Sequence, residues 1–229
     1  MQPCRLRSSA GSFRAMTLGI VTGMASEARI FAADALTISA GGDAEATRAG
    51  IVSLIARGAT KLVSFGIAGA LDPTLKPGDL IIGSAVRTAD GVRAPVDQKW
   101  LAHLATHLTA ARVADVVGSA QIAATAEQKA MLHRDTGAAC VDQESHWVAD
   151  AAHARRLPFI VLRAIADRAG DTLPPAVLVG LDAQGNPRTS AVIGALLRNP
   201  MQLPGLIRVA LQTDRALKSL LRGRAALLL

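Results

Sequence analysis

The sequence predicts an α/β protein, three layers in which a central, largely parallel sheet is covered by helices on both faces. Three observations carry this. Short apolar runs ending at or near glycine alternate with stretches of helical period, as expected for buried parallel strands joined by crossover helices. Half of the 229 residues are apolar and only 19 % are charged, so the chain can bury a sizeable core that offsets its ordering entropy. No uninterrupted apolar run approaches the roughly 18 to 20 residues needed to span a bilayer.

Residues 1–15 (MQPCRLRSSAGSFRA) have no apolar period and precede a second methionine, Met16. They are expected to be a disordered extension or a misassigned start, because the apolar centre of a secretory signal is missing. The main domain is expected over 16–187. Residues 17–22 (TLGIVT) read as a buried strand and 25–35 as a helix with Glu27 in its first turn. A strand at 36–39 precedes a helix capped by Asp43, running through Arg57 and closed by Gly58. Residues 61–65 (KLVSF) form the next strand, leading into a glycine turn at 66–70, and 80–85 (LIIGSA) another. A helix over 94–110, a strand within 113–123, a helix over 126–135 and a short strand at 138–141 follow. The body ends with a helix at 145–156 and a continuous apolar strand, 158–166, interrupted only by Arg163.

The net charge of +7 sits at the ends. Residues 1–14 carry +3 and residues 188–229 carry +6, which leaves the body at −2. A nucleic-acid enzyme would gather its basic residues around the cleft. Aromatic content of 3 %, with no tyrosine, also lacks the faces on which bases stack. Two cysteines, Cys4 and Cys140, make no disulfide framework and suit a reducing, cytoplasmic compartment.

In parallel sheets, ligands sit beyond the carboxyl ends of the strands. Three acids stand at such places: Glu27 after the first strand, Glu144 in VDQES, and Asp167 closing the strongest strand. Together they would make an acidic pocket lined by apolar backbone, and each alone could be no more than an N-cap or loop carboxylate. Gly66 and Gly69 permit close approach of backbone to a ligand. The dinucleotide fingerprint and the phosphate-gripping P-loop are both absent. His103 and His107 lie four apart without cysteine partners and read as a solvated helix face, so no metal is expected.

The blocks LGIVTGMASE (18–27), FGIAGALDPTLKPGD (65–79), VDQES (141–145) and VLRAIAD (161–167) resemble, in order and spacing, the purine and uridine phosphorylase superfamily. Within it the match is best to the methylthioadenosine/S-adenosylhomocysteine nucleosidase branch, and the VDQES block and long basic tail look most like hopanoid-associated phosphorylases. The resemblance implies a mixed, largely parallel central sheet and cleavage of an adenosine-type N-glycosidic bond, with adenosylhopane as the favoured substrate. A soluble methylthioadenosine or S-adenosylhomocysteine nucleosidase, or a purine nucleoside phosphorylase, is the alternative. It implies that Asp167 protonates purine N7, that Glu144 grips the ribose hydroxyls, and that Glu27 activates water. Gln143 precedes Glu144 where relatives carry methionine. Gly66, Ile67, Ala68 and Gly69 would wall the sugar, and Ile122 would lie beside the base. Ile67 and Ala68 stand where many relatives have a phosphate-binding or water-orienting hydroxyl. Arg48 and Arg29, with Arg163, are the candidate phosphate grips, phosphate being a candidate co-substrate. No organic cofactor is implied, and a homodimer is the default.

Residues 188–229 interleave apolar positions with Arg198, Arg208, Arg215, Lys218, Arg222 and Arg224. From Pro204 onward this reads as a basic amphipathic helix, suited either to an anionic membrane surface or to packing on the sheet with its basic face in water. A lipid-linked nucleoside would give the first option a purpose, placing a cytoplasmic enzyme peripherally on the inner face of the membrane.

Overall fold

The computed structural model describes residues 17–31, 35–88, 90–178, 182, 186 and 188–229. The expected extension at 1–15 lies outside the described residues. Eight strands form one mixed sheet: β1 (Leu18–Thr22), β2 (Leu36–Ser39), β3 (Lys61–Ala70), β4 (Leu80–Arg87), β5 (Arg93–Pro95), β6 (Arg112–Gly118), β7 (Cys140–Asp142) and β8 (Phe159–Asp167). Among the described residues, five of the eight strand pairings are parallel.

The sheet is more closed than alternation of strands and helices reveals. β3 pairs in parallel with β8, which pairs antiparallel with β4; β4 pairs with β6, β6 with β7, and β7 returns antiparallel to β3. These five strands make a small closed barrel, with β1 and β2 extending from β3 and β5 attached to β4. Closure leaves only the short outer strands β2 and β5 as hydrogen-bonding edges among the described residues. It also explains why all nine residues of β8 are buried, Arg163 and Asp167 included.

Helices cover the barrel. They are α1 (Ala25–Ala28), α2 (Ala44–Ala56), α3 (Gln98–His107), α4 (Ala126–Thr136), α5 (Ser145–Arg155), α6 (Pro175–Leu178), α7 (Thr189–Arg198) and α8 (Leu203–Leu227). Asp43 caps α2 by accepting from Ala46 N–H at 2.7 Å, as its position suggests. Thr125 and Gln128 form a reciprocal capping box that starts α4. Along α8, Gln212, Ala216, Leu220, Gly223 and Leu227 recur at helical spacing and are buried. Gly223 lets the helix lie close: a Cβ there would come within 3.1 Å of Leu162 on β8. The last half of the basic tail therefore packs on the barrel.

Four local expectations need correction. The helix over 94–110 is instead β5 followed by α3, because Arg93–Pro95 pairs antiparallel with β4 and Asp97 caps a helix only from Gln98. Of the helix expected over 25–35, residues 32–34 lie outside the described residues, and the part before them is one turn, α1, followed by a 3-10 turn over Arg29–Phe31. The strand within 113–123 stops at Gly118, against which His146 packs so closely that a Cβ would sit 2.6 Å away. The glycines at 66–69 are not a turn: they lie inside β3, where pairing with β8 shifts register between Ala68 and Gly69.

Candidate active site

The carboxyl ends of β1, β3, β7 and β8 converge on one cavity of about 170 Å³. Its walls include Gly23, Met24 and Glu27, then Ile67, Ala68 and Gly69, then Gln121 and Ile122, then Gln143 and Glu144, then Asp167 and Leu173.

Glu27 is the third residue of α1, and its carboxylate folds back over the start of that helix. Oε2 accepts from the N–H groups of Gly23 at 3.0 Å and Met24 at 2.8 Å, and Oε1 accepts from Ile67 N–H at 2.8 Å. The same side chain thus caps the helix, ties β1 to β3 and faces the cavity. Burial raises its pKa above the ordinary value, against the backbone hydrogen bonds from Ile67, Met24 and Gly23 and the charge of Arg163.

Glu144 follows β7 at the start of α5. Its neighbour Asp142 does the capping, accepting from Glu144 N–H at 2.9 Å and Ser145 N–H at 2.7 Å. That division of labour leaves the Glu144 carboxylate available to the cavity. Asp142 also pairs with Arg163 Nε at 2.8 Å, and Arg163 Nη2 lies 3.4 Å from Glu144 Oε2. Ser64 accepts from Arg163 at 2.5 Å and from the Ser145 hydroxyl at 3.0 Å. Burial pushes Glu144 up to about 8; Arg163 pulls it down, while Asp142 and Glu27 add to the rise. Gly66 is needed here, since a Cβ would meet Arg163 Nη1 at 2.6 Å and Glu27 Oε1 at 2.8 Å.

Asp167 ends β8 beside Gly69. Its Oδ2 is paired with Lys129 of α4, which is itself fully buried. The Lys129 ammonium also donates to the backbone carbonyls of Arg168 and Asp171, each at 2.9 Å. Burial raises the Asp167 pKa above its usual range; Lys129 opposes this through charge and hydrogen bond, and Asp171 reinforces it.

The structure brings Asp167, Glu27, Glu144, Gln143, Ile67, Ala68, Gly69 and Ile122 to one cavity, with Gly66 directly behind it. It does not bring the expected phosphate grips there. Arg48 lies on α2 with its guanidinium 4.0 Å from the centroid of the Trp147 ring, and Arg29 is exposed after α1. Arg163 is buried behind the cavity with its charge committed to Asp142 and Glu144. No arginine or lysine is among the described residues lining the cavity. Sequence reasoning missed Lys129, Asp142, Ser64 and Ser145. For Asp142 a signal existed, since it precedes the first turn of α5; Lys129 looks like any surface lysine of an amphipathic helix.

A cavity with carboxylates on three sides and apolar backbone between them can bind a polyhydroxylated, cation-forming substrate and carry protons to and from it. The described residues contain no group of three or more His, Cys, Asp or Glu that could hold a metal ion.

Comparison with solved structures finds the same fold in Helicobacter pylori futalosine hydrolase, at 14 % identity with a TM-score of 0.69, covering 92 % of this chain and 96 % of that one. The 5'-methylthioadenosine/S-adenosyl homocysteine nucleosidase of H. pylori, complexed with a substituted pyrrolidin-3-ol, superposes with a TM-score of 0.69 at 15 % identity, covering 93 % and 97 %. The S-adenosylhomocysteine nucleosidase of Streptococcus pyogenes does so at 0.64 and 16 % identity, covering 88 % and 98 %. No curated protein sequence matches the chain. The sequence profile of the phosphorylase superfamily matches residues 13–198, a span that holds every carboxylate of the cavity. With that span matched and the fold shared, the chain belongs to the phosphorylase superfamily and is an enzyme that cleaves an N-glycosidic bond.

Proposed function

We propose that the chain hydrolyses an adenosine-type nucleoside, releasing adenine, and that the favoured substrate carries a lipid on the ribose 5′ carbon, as adenosylhopane does. The observation that carries the reaction is the convergence of Glu27, Glu144 and Asp167 on one small cavity. Glu27, held by three backbone N–H groups with its pKa raised by burial, takes a proton from a water that attacks C1′. The C1′–N9 bond breaks with its electron pair going to the base. Asp167 gives a proton to N7, so adenine leaves neutral. Glu144 accepts hydrogen bonds from the ribose hydroxyls and offsets the positive charge that develops on the sugar. Water is favoured over phosphate because the cavity is lined by carboxylates and by no described cationic side chain. Phosphorolysis, and hydrolysis of the soluble thioether nucleosides on which neighbouring structures act, are the rival readings.

The lipid part of the reading rests on the surface beside the cavity. Ile193, Leu197, Met201, Leu203, Ile207 and Leu211 of the 189–211 segment are exposed, Leu197 and Met201 to 79 % and 85 %. Arg198 and Arg208 stand among them, with Arg188 and Arg215 on either side. That mixture suits peripheral docking on the anionic, cytoplasmic face of a membrane. The segment adjoins the cavity, because Leu173 lines it and Pro174 touches Gly205 of α8. A homodimer is the expected assembly.

Adenine release should be measured from methylthioadenosine, S-adenosylhomocysteine and a hopane-linked adenosine, each with and without phosphate. Release from the lipid nucleoside without phosphate is expected; fast turnover of the soluble thioethers alone, or dependence on phosphate, overturns the corresponding part. Asp167→Asn should lower turnover by about 10²-fold or more. Vesicles containing anionic lipid should sediment the protein and neutral vesicles should not; a Leu197→Ser/Met201→Ser variant should stay in the supernatant.

A further inference from the structure

Lys129 is the one fully buried lysine among the described residues, and nothing in the reaction outlined above uses it. Its ammonium has three protons and three acceptors around it: Asp167 Oδ2 and the carbonyl oxygens of Arg168 and Asp171. With every proton engaged, Lys129 sits as a charged group with a fixed direction. Such a site is costly to build unless each bond is made, and here each is made. The capping box of α4 sets this up, since Thr125 and Gln128 start the helix and place Lys129 on the turn that faces the end of β8.

We propose that Lys129 is a positioning residue for the leaving-group acid. It holds Oδ2 of Asp167, turns Oδ1 towards the base, and keeps the carboxyl acidic enough to surrender its proton. This inference rests on the reading of Asp167 as the group that protonates N7. Burial alone would leave Asp167 a weak acid that binds its proton tightly and releases it slowly to the purine. The ammonium counteracts burial, moving the carboxyl towards the range in which it both holds a proton and gives it up. The only other charged group acting on Asp167 among the described residues is Asp171. Its carboxylate is occupied elsewhere, accepting from Arg168 N–H and from Gln212, with Arg208 at 3.8 Å. Lys129 also fixes the chain from 168 to 171, so that the wall carrying Leu173 and the acid are set by one side chain.

The test is the pH profile of adenine release by Lys129→Met, Asp167→Asn and the double variant, with Lys129→Gln as a second single variant should the methionine fail to fold. Lys129→Met is expected to lower kcat by about 10- to 100-fold with little change in KM, and to move the alkaline limb of kcat/KM upward by about one pH unit, because Asp167 then keeps its proton to higher pH. In the Asp167→Asn background, removing Lys129 should cost nothing further in kcat. A Lys129 variant with an unmoved limb, or losses that multiply in the double variant, shows a purely structural role and overturns the proposal. Unimpaired release by Asp167→Asn would instead overturn the reading of Asp167 itself, so the two failures are distinguishable.

Discussion

Arg163 acts on the acids of the cavity without lining it. It lies behind Gly66, paired with Asp142 and close to Glu144 and Glu27, so one guanidinium offsets several acids that burial would otherwise neutralise. The balance is incomplete at Glu144, which burial still holds at about 8. Its folded pKa exceeds the ordinary 4.5, so the folded state keeps a proton that the unfolded chain has released. The contribution to stability is therefore full below pH 4.5 and is lost as pH rises through the interval up to about 8. Glu144→Gln removes that titration. Melting curves should show the variant no more stable than the parent near pH 4.5 and more stable near pH 8.5, while above pH 8, where the parent carboxyl is ionised, its kcat/KM falls by about 10²-fold because the sugar loses its anionic partner.

At the scale of elements, what the sequence discloses depends on whether a residue's role is local. Glu27, Glu144 and Asp167 were legible because each stands where an apolar run ends, and runs of buried strand are written in composition. Asp43 was legible because capping is a three-residue relation. Lys129 and the Ser64–Ser145–Arg163 contacts join residues 38, 81 and 99 positions apart, which no local pattern encodes. The 93–95 strand was hidden for the same reason: its pairing with β4 prevails over the helical composition of the stretch. Asp115 of β6 shows how such long-range joints hold elements together. It accepts from Ser84 on β4 at 2.6 Å, from Arg87 at 2.7 Å and from Arg93 on β5 at 2.9 Å. Burial pushes Asp115 up, yet the hydrogen bonds from Arg93, Ser84 and Arg87 outweigh it and bring the group to about 2. A depressed value means stability that is present above the ordinary 3.8 and lost as pH falls through about 2. Since both arginines are partly solvated, Asp115→Asn should cost about 1–2 kcal/mol at pH 7 by denaturant titration, and the difference should vanish in strong acid.

Over the whole molecule, the α/β class, seven of the eight described strands and the placing of the three acids at strand ends follow from the sequence, whereas β5 and the closure of the barrel do not. Closure depends on β7, three residues long, meeting β3 antiparallel at only Gly69–Val141 and Ala70–Cys140. It has a consequence for biosynthesis. β8 is the last of the described strands to leave the ribosome and sits between β3 and β4, so each of these neighbours lacks one of its partners, and the ring stays open, until residue 167 has emerged. Until then Glu27, Asp142 and Glu144 exist without the guanidinium that faces all three in the finished fold. Those charges then keep the unfinished sheet hydrated and apart from other chains, and the arrival of β8 both brings Arg163 to offset them and seals the ring.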